Sequence, residues 1–352
     1  MLKNKSSLER ILIVVILSGL VGVSYFAYDL YKKILKINTS FGEGIKEQYI
    51  NIESDDNFAD VISLLESKNL LVDINSFKWV ADKKNYINHI KAGRYFINKN
   101  MNNNDLVNLL RSGKQSPVKV TFNNIRTLGE VSSKLSAFLE ADSNEIHKSF
   151  IDPDFLKKNN FNKNNIISVF IPNTYEFYWN TSAKKLRKRM LKEYTSFWNR
   201  TRRKKASKIN LSFDEVSALA SIVEKEQNIR KDERPMIAGL YLNRIKQNMK
   251  LESDPTLIFA LQDFTINRVL NKDKKVNSPY NTYKYKGLPP GPICIPSINS
   301  IDAVLNASKH DYIFMCAKED FSGYHNFATN YRQHLVNARK YQRMLNKKKI
   351  LR

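Results

Sequence analysis

Cysteine is scarce in this chain: only Cys294 and Cys316 occur among its 352 residues, and they form no Cys-x-x-Cys pair. A disulfide framework is therefore excluded, although one bridge stays open in an oxidising compartment. Each cysteine is more simply a small apolar residue of a loop or core. Metal-ligand spacing is missing too, because His310, His325 and His334 lack the i, i+4 pairing of zinc sites. We expect no metal and no cofactor.

Acidic residues are few relative to basic ones: 34 Asp and Glu stand against 58 Lys and Arg, for a formal net charge of +24. Such an excess is typical of nucleic-acid binding. The basic clusters at 184–189, 200–205, 272–275 and 347–352 are nevertheless spread out, without zinc-finger spacing or an RNP-type aromatic motif. We therefore expect no nucleic-acid partner. Solvated helix faces explain much of the charge, with attraction to anionic membranes or wall polymers as an alternative.

Residues 11–28 form an uncharged, mostly apolar run long enough to span a bilayer. Basic residues flank it on both sides: Lys3, Lys5 and Arg10 before it, and Lys32, Lys33 and Lys36 after it. The preceding group favours a cytoplasmic N-terminus. A cleaved signal peptide is the alternative, but the run is longer than usual for one and no Ala-x-Ala-like site follows. We expect a single-pass plasma (inner) membrane anchor, with the chain after about Asn38 outside the cytoplasm.

Apolar periodicity divides the chain into segments of an α+β protein. They are a cytoplasmic N-terminus (1–10), a transmembrane anchor (11–30), a linker (31–47), a small α/β module (48–116), a connecting α/β region (117–209) and a larger mixed α/β domain (210–346). In the small module, Asn104 is a candidate N-cap for a helix that ends near Gly113. The basic segment 183–204 predicts one helix. The aromatic stretch 171–179 predicts either a core strand or a sugar-stacking surface.

The helix ending in Ala-Ser-Ile-Val-Glu-Lys-Glu carries the first catalytic candidate. Ser212 and Glu215 have capping-box spacing, and the apolar residues that follow recur at i, i+3, i+4 and i+7. At about 100° per residue, Glu226 projects roughly 50° from the centre of the apolar face and Glu224 roughly 110°. A carboxylate near an apolar face is unfavourable unless it is protonated, paired with a positive charge or used in the function of the protein. Glu226 is therefore a candidate working acid, and an ordinary solvated helix-end carboxylate is the alternative.

Two later segments carry candidate hydrogen-bonding groups. Asp254 and Thr256 flank a proline, and Asn281 and Tyr283 precede Gly-Leu-Pro-Pro-Gly-Pro-Ile, whose prolines exclude a helix interior or a central strand. A rigid loop can present polar side chains to a ligand. It can equally be a stiff connection whose side chains only hold the loop. His325, in Tyr-His-Asn-Phe-Ala-Thr-Asn, belongs to no nucleophile motif.

Four blocks together resemble the endolytic murein transglycosylases of the MltG, or YceG-like, family. They are ASIVEKE, RPMIAGLYLNRIKQNMKLESDPTLIFAL, YNTY with KGLPPGPICIPS, and YHNFATNYRQH, and the resemblance covers most of 48–341. It implies a membrane anchor, a LysM-like subdomain matched by KAGRYFI and LVNLLRSGK, and a catalytic domain. The catalytic glutamate of the family falls on Glu226. The chain departs from the family at Gly323-Tyr324-His325, where Gly-Gly-His is common, and at Ile171-Pro172-Asn173, where Phe-Pro-Asp is common.

The resemblance also implies an activity and partners. The activity is lytic cleavage of the MurNAc-GlcNAc bond within peptidoglycan strands, which leaves 1,6-anhydro-MurNAc ends and limits nascent strand elongation. Glu226 would act alone as acid and base, with Glu224 in support. Our hypothesis is that Asp254, Thr256, Asn281, Tyr283 and His325 line the glycan groove. Expected partners are peptidoglycan strands, the plasma membrane and possible peptidoglycan synthases.

Three alternatives stay open. The chain could be a membrane-anchored scaffold that binds peptidoglycan without cutting it. It could be a hydrolase of the same bond, which would add water to the product. It could also be a cytosolic lyase with Lys225 as a Schiff-base lysine, although Lys225 points away from the apolar face and the anchor argues against a cytosolic location.

Overall fold

The computed structural model describes residues 7–41, 47–123, 125–266 and 269–348, and its architecture is mixed α/β. The helices are α1 Ser7–Ile34, α2 Phe58–Ser67, α3 Ile74–Lys83, α4 Asn103–Ser112, α5 Leu128–Ser136, α6 Ser143–Phe150, α7 Pro153–Lys158, α8 Ala183–Phe197, α9 Arg200–Lys208, α10 Phe213–Glu226, α11 Arg234–Lys246, α12 Asp254–Leu261, α13 Ile298–Leu305 and α14 Tyr331–Lys347. The strands are β1 Glu47–Ile52, β2 Gly93–Asn98, β3 Val118–Thr121, β4 Thr174–Phe177, β5 Phe314–Ala317 and β6 His325–Ala328.

The chain divides into two compact units. The first comprises residues 1–118 and 176–181, and the second comprises 119–175 and 182–352. Antiparallel pairs form within each of them: β1 with β2 in the first, and β5 with β6 in the second. The second unit therefore contains most of both the predicted connecting region and the predicted catalytic domain.

Helix α1 is, within the described ranges, the helix that is long and apolar enough to cross a membrane. Its side chains are exposed along the whole run, and Val21, for example, is 69% exposed. A contiguous apolar surface of this size is unfavourable in water and favourable in hydrocarbon. The predicted anchor thus lies on a continuous helix.

Buried amides tie the end of α1 to the first unit. The Asn103 side chain donates from Nδ2 to the backbone oxygen of Lys33 (2.8 Å). The Asn38 side chain donates to Asn103 Oδ1 (2.7 Å) and accepts from the backbone N–H of Asp73 (2.8 Å). Because buried amides are costly to leave unpaired, this network fixes the direction in which the chain leaves the helix.

The first unit has its own apolar core between β1, β2 and α2–α4, with Ile50, Tyr95 and Leu106 fully buried. The prediction that Asn104 caps α4 is wrong by two residues. Asn102 is the N-cap, and its Oδ1 accepts from the backbone N–H of Asp105 (2.9 Å). Since an N-cap must lie outside the helix with extended backbone, Asn104 inside the first turn cannot serve.

The predicted single basic helix 183–204 is also wrong, because the segment forms two helices, α8 and α9. The break lies at Trp198, whose ring is fully buried and stacks on Phe213 at 4.7 Å between centroids. Asn199 follows and caps α9, accepting from the backbone N–H of Arg202 (3.1 Å). Burial of the Trp198 indole and the cap by Asn199 together stabilise the break more than one continuous helix would be stabilised by its additional backbone hydrogen bonds.

Helix α10 forms the centre of the second unit. Ser212 caps it with the predicted capping box, and its residues from Val216 to Val223 are buried against α11 and α13. In the aromatic stretch, Ile171 and Tyr175 are buried, and the Tyr175 hydroxyl donates to the Ile171 carbonyl (2.7 Å). These two residues are therefore part of the core.

Gly239 marks a close approach within this core. A Cβ at this position of α11 would lie 2.3 Å from the Ser308 carbonyl oxygen and 2.7 Å from His310 Nε2. Overpacking of this kind destabilises a folded protein by about 1–3 kcal/mol, and we expect Gly239→Ala to do so. Urea unfolding followed by circular dichroism measures the change. Gly129→Ala is the control, since its nearest atom would lie 3.8 Å away. Equal stability of both variants would contradict the close packing.

Candidate active site

Glu226 is the last residue of α10, and its partly buried carboxyl group is held by two hydroxyl groups. Tyr241 of α11 donates to Oε1 at 2.8 Å. Ser253, immediately before α12, donates to the same oxygen at 2.5 Å. Three elements thus meet at one carboxyl oxygen, as expected for an acid that faces the core.

Burial is the main cause that raises the pKa of Glu226 above its ordinary value of 4.5. The hydrogen bonds from Ser253 and Tyr241 act in the opposite direction, because they stabilise the carboxylate. The negative charge of Asp254 raises the pKa further, and His325 lowers it. The balance favours a carboxyl group that retains its proton to higher pH than a solvated glutamate, which a general acid requires.

The two donors also determine which oxygen carries the proton. Burial raises the pKa of the Tyr241 hydroxyl well above its ordinary range, so this group stays a donor. With Oε1 accepting two hydrogen bonds, the acidic proton is placed on Oε2, where it can be transferred.

A cavity of about 460 Å³ opens next to Glu226, within the second unit. Its lining residues are Glu226, Leu240, Tyr241, Arg244, Leu251, Glu252, Asp254, Lys274, Tyr283, Phe314, Met315, Tyr331 and His334. Two of the predicted groove residues, Asp254 and Tyr283, meet here, with the Tyr283 hydroxyl 2.6 Å from Asp254 Oδ1. Burial and the neighbouring Asp254 raise the pKa of Tyr283, so its hydroxyl keeps its proton and donates.

Thr256 and Asn281 are fully buried and do not line this cavity. The Thr256 hydroxyl donates to the Ser253 carbonyl (2.7 Å), and the Asn281 amide donates to the Lys274 and Val276 carbonyls (3.0 and 2.8 Å). Both side chains therefore hold the loops that present Ser253 and Tyr283. We propose this holding role for them in place of contact with substrate.

His325 does not line this cavity and belongs to a polar network with Glu233 and Gln227. Its Nδ1 is 2.7 Å from Glu233 Oε2, and its backbone N–H donates to Glu233 Oε1 (2.8 Å). Gln227, next to Glu226 in the chain, donates to the same Glu233 (2.6 Å). Burial alone would raise the pKa of Glu233, but the hydrogen bonds from His325 and Gln227 lower it. The network fixes the chain just after the candidate acid.

Glu224 points to the other side of α10 and holds the beginning of α13. Its Oε2 accepts from the Ser297 backbone N–H (2.7 Å), the Ser297 hydroxyl (2.5 Å) and the Ser300 hydroxyl (2.7 Å). Arg234 Nη1 lies 3.9 Å from the same oxygen. Glu224 is thus engaged in structural hydrogen bonds at a helix N-terminus, where negative charge is stabilising.

Local sequence patterns did not predict three residues of the site, Tyr241, Ser253 and Arg244. Tyr241 could have been found from its pattern, because a tyrosine on the buried face of α11 needs a hydrogen-bond partner for its hydroxyl group. Ser253 precedes an Asp-Pro helix start, a position that suggests only a cap.

Among the described residues, the acidic group with metal-ligand spacing is Glu53, Asp55 and Asp56, in the first unit.

Comparisons with known proteins agree on one family. A sequence model of the YceG-like family matches residues 50–340. The endolytic murein transglycosylase of Bacillus subtilis strain 168 is 30% identical over 289 residues, which cover 77% of this chain and 79% of that protein. The endolytic murein transglycosylase of Streptococcus pneumoniae strain D39 is 26% identical over 328 residues, covering 83% of this chain and 58% of that longer protein.

A solved structure supports the same assignment. The crystal structure of a yceG-like protein from Listeria monocytogenes matches with a TM-score of 0.54 at 27% identity. The match covers 83% of this chain and 98% of that chain. The family match, the similarity to the curated relatives and this structural likeness extend over both units, and this chain belongs to the YceG-like family.

Proposed function

We propose that the chain is a lytic transglycosylase that cuts the MurNAc-GlcNAc bond within peptidoglycan glycan strands, with Glu226 as its single acid and base. The names of its relatives support the substrate and reaction class. The observation that carries the assignment of Glu226 is its geometry: a partly buried carboxyl with a raised pKa, oriented by two hydroxyl donors beside a cavity.

In the first step, the proton on Oε2 of Glu226 passes to the glycosidic oxygen that links MurNAc C1 to GlcNAc. The C1–O bond breaks, its electron pair remains with the departing GlcNAc hydroxyl, and positive charge develops at C1. The Asp254 carboxylate, held by Tyr283 in the same cavity, is placed to stabilise this charge.

In the second step, the C6 hydroxyl oxygen of the same MurNAc attacks C1 and closes the anhydro ring. Its proton returns to the Glu226 carboxylate, which restores the starting state. No water is consumed. One residue can therefore serve both steps, provided that its carboxyl keeps one orientation, which Tyr241 and Ser253 enforce.

Hydrolysis of the same bond is the second candidate, because Asp254 gives the cavity another carboxyl group. Two carboxyl groups flanking the scissile bond are the usual requirement of glycoside hydrolases. The Asp254 carboxylate is already engaged by the Tyr283 hydroxyl at 2.6 Å, which favours a fixed electrostatic role over activation of water.

We further propose that α1 anchors the enzyme in the plasma membrane, with its N-terminus cytoplasmic and the chain after about Asn38 outside. The exposed apolar surface of α1 supports an anchor, and Lys3, Lys5 and Arg10 support this orientation. We also propose a LysM-like role in glycan binding for residues 48–116, which contain one apolar core. An anchored enzyme of this kind would act on strands near the membrane and limit their elongation, in concert with peptidoglycan synthases.

Glu226→Gln tests the reaction directly. We expect it to lower the cleavage rate of purified glycan strands by at least about 100-fold, because an amide cannot donate an acidic proton. Mass spectrometry of the wild-type products should show 1,6-anhydro ends, one water lighter than hydrolysis products. Glu224→Gln is the matched control: it keeps an acceptor oxygen for Ser297 and Ser300 and should retain the activity.

Hydrated ends from the wild type would establish the hydrolase instead. A wild-type protein that binds strands and releases no products would establish the scaffold. Equal loss of activity in both glutamine variants would show that the turn of α10 matters as a whole and would contradict the assignment to Glu226.

Ser253→Ala tests the orientation of the acid. Loss of its hydrogen bond removes an influence that lowers the pKa of Glu226, so that pKa should rise further. A general acid works only while protonated, and the loss of kcat/KM on raising the pH should therefore begin at higher pH than in the wild type. Ser297→Ala, which loses a hydrogen bond to Glu224, should leave the pH at which kcat/KM begins to fall unchanged. If kcat/KM of Ser253→Ala began to fall at the same pH as in the wild type, or at lower pH, the role of the Ser253–Glu226 hydrogen bond would be contradicted.

A further inference from the structure

The wall of the cavity formed by β5 and α14 is aromatic and has no part in the proton transfers described above. It consists of Phe314, Tyr331 and His334, all of which line the same cavity as Glu226. The ring of Phe314 stacks on that of His334 at 5.2 Å between centroids, with 22° between the planes. The ring of Tyr331 lies 5.9 Å from Phe314 and 6.2 Å from His334. We call these three residues the aromatic wall.

The aromatic wall is open to a ligand at one end. Tyr331, the first residue of α14, is 61% exposed although its ring lies in an aromatic cluster. Exposed aromatic rings are unfavourable in water, and a group of them in a cavity with a few polar atoms is typical of a binding surface.

Arg244 joins this wall to the loop that carries Ser253. Its guanidinium lies 5.3 Å from the Phe314 ring centroid and donates from Nε to the Ile313 carbonyl (2.6 Å). Its Nη1 donates to the Lys250 and Leu251 carbonyls, each at 3.0 Å. Arg244 is buried and contacts both segments. It therefore fixes the position of the aromatic wall relative to the loop of Ser253, whose hydroxyl group donates to Glu226.

His334 adds a polar atom, Nδ1, to the aromatic wall. Its Nδ1 is buried and has no hydrogen-bond partner among the described residues. Burial and the nearby Arg244 lower the pKa of this imidazole, so it is neutral at neutral pH. A neutral imidazole offers one donor and one acceptor, which suits a sugar hydroxyl or acetamido group. A buried unpaired polar atom is unfavourable, and a ligand that reaches Nδ1 from the cavity would remove this cost.

We propose that the aromatic wall is a sugar-binding subsite that stacks one pyranose ring of the glycan strand on Tyr331 and Phe314 while His334 hydrogen-bonds to it. The apolar C–H face of a pyranose fits an aromatic surface, and its hydroxyl and acetamido groups fit the imidazole. This subsite rests on the proposed function for the identity of the strand. It fixes the strand in the cavity that Glu226 also lines.

The test measures binding separately from cleavage. The full-length chain carrying Glu226→Gln, in detergent, is titrated with fluorescently labelled, peptide-free glycan strands to obtain Kd. Adding Tyr331→Ala should weaken binding about fivefold, the size expected from one lost ring contact. Tyr331→Phe keeps the ring and should bind as tightly as its parent. His334→Phe keeps the stacking, loses Nδ1, and should weaken binding about threefold.

The control is Tyr341→Ala, which removes a ring from the same helix outside the cavity and should leave Kd unchanged. In the otherwise wild-type chain, Tyr331→Ala should raise KM and leave kcat close to normal, because it removes contacts made in ground state and transition state alike. Unchanged Kd and KM in Tyr331→Ala would overturn the subsite. If Glu226→Gln still cleaved strands, the proposed catalytic role would fail, while a Kd effect confined to the wall variants would still support the subsite.

Discussion

Burial of the Glu226 carboxyl at the end of α10 is the constraint on which the site depends. An acid placed there is costly unless its neighbours offer hydrogen bonds, and Tyr241 and Ser253 offer two, both to Oε1. Their presence keeps the carboxyl fixed, and burial raises its pKa, so that it holds its proton to higher pH than a solvated glutamate. The side chain is thereby prepared for proton transfer before any substrate arrives, which is the condition for an efficient general acid.

Two glutamates separated by one residue have separate roles because of helix geometry. Residues i and i+2 point about 200° apart on an α-helix, so they face nearly opposite sides. Glu224 consequently meets the N-terminus of α13, where it accepts hydrogen bonds from Ser297 and Ser300. Glu226 meets the cavity. The network of Gln227, Glu233 and His325 then fixes the chain beyond the helix, so that the acid cannot rotate away.

Local sequence patterns were sufficient to predict part of this arrangement. The apolar periodicity of α10 predicted that Glu226 lies closer to the apolar face than Glu224, and the Ser212 capping box predicted where the helix begins. The periodicity did not predict that the Glu224 side chain is only 12% exposed, because the residues that cover it belong to the distant start of α13. Prolines predicted the stiff loop beyond Tyr283. Contacts between distant segments could not be predicted in this way: Ser253 is 27 residues from Glu226, and Arg244 is 69 residues from Ile313. The break in the basic helix 183–204 also depends on a distant partner for Trp198, namely Phe213.

A direct titration of Glu226 tests whether its carboxyl group can reach the substrate in the protonated state. Carbon-13 NMR of the full chain, labelled at glutamate side-chain carboxyl groups and held in detergent, can follow each carboxyl against pH, and comparison with Glu226→Gln identifies the resonance. We expect Glu226 to titrate at higher pH than the ordinary value of 4.5, because burial raises its pKa. A midpoint at or below that value would mean that Glu226 is ionised when the enzyme meets its substrate, which would contradict its proposed role as the general acid.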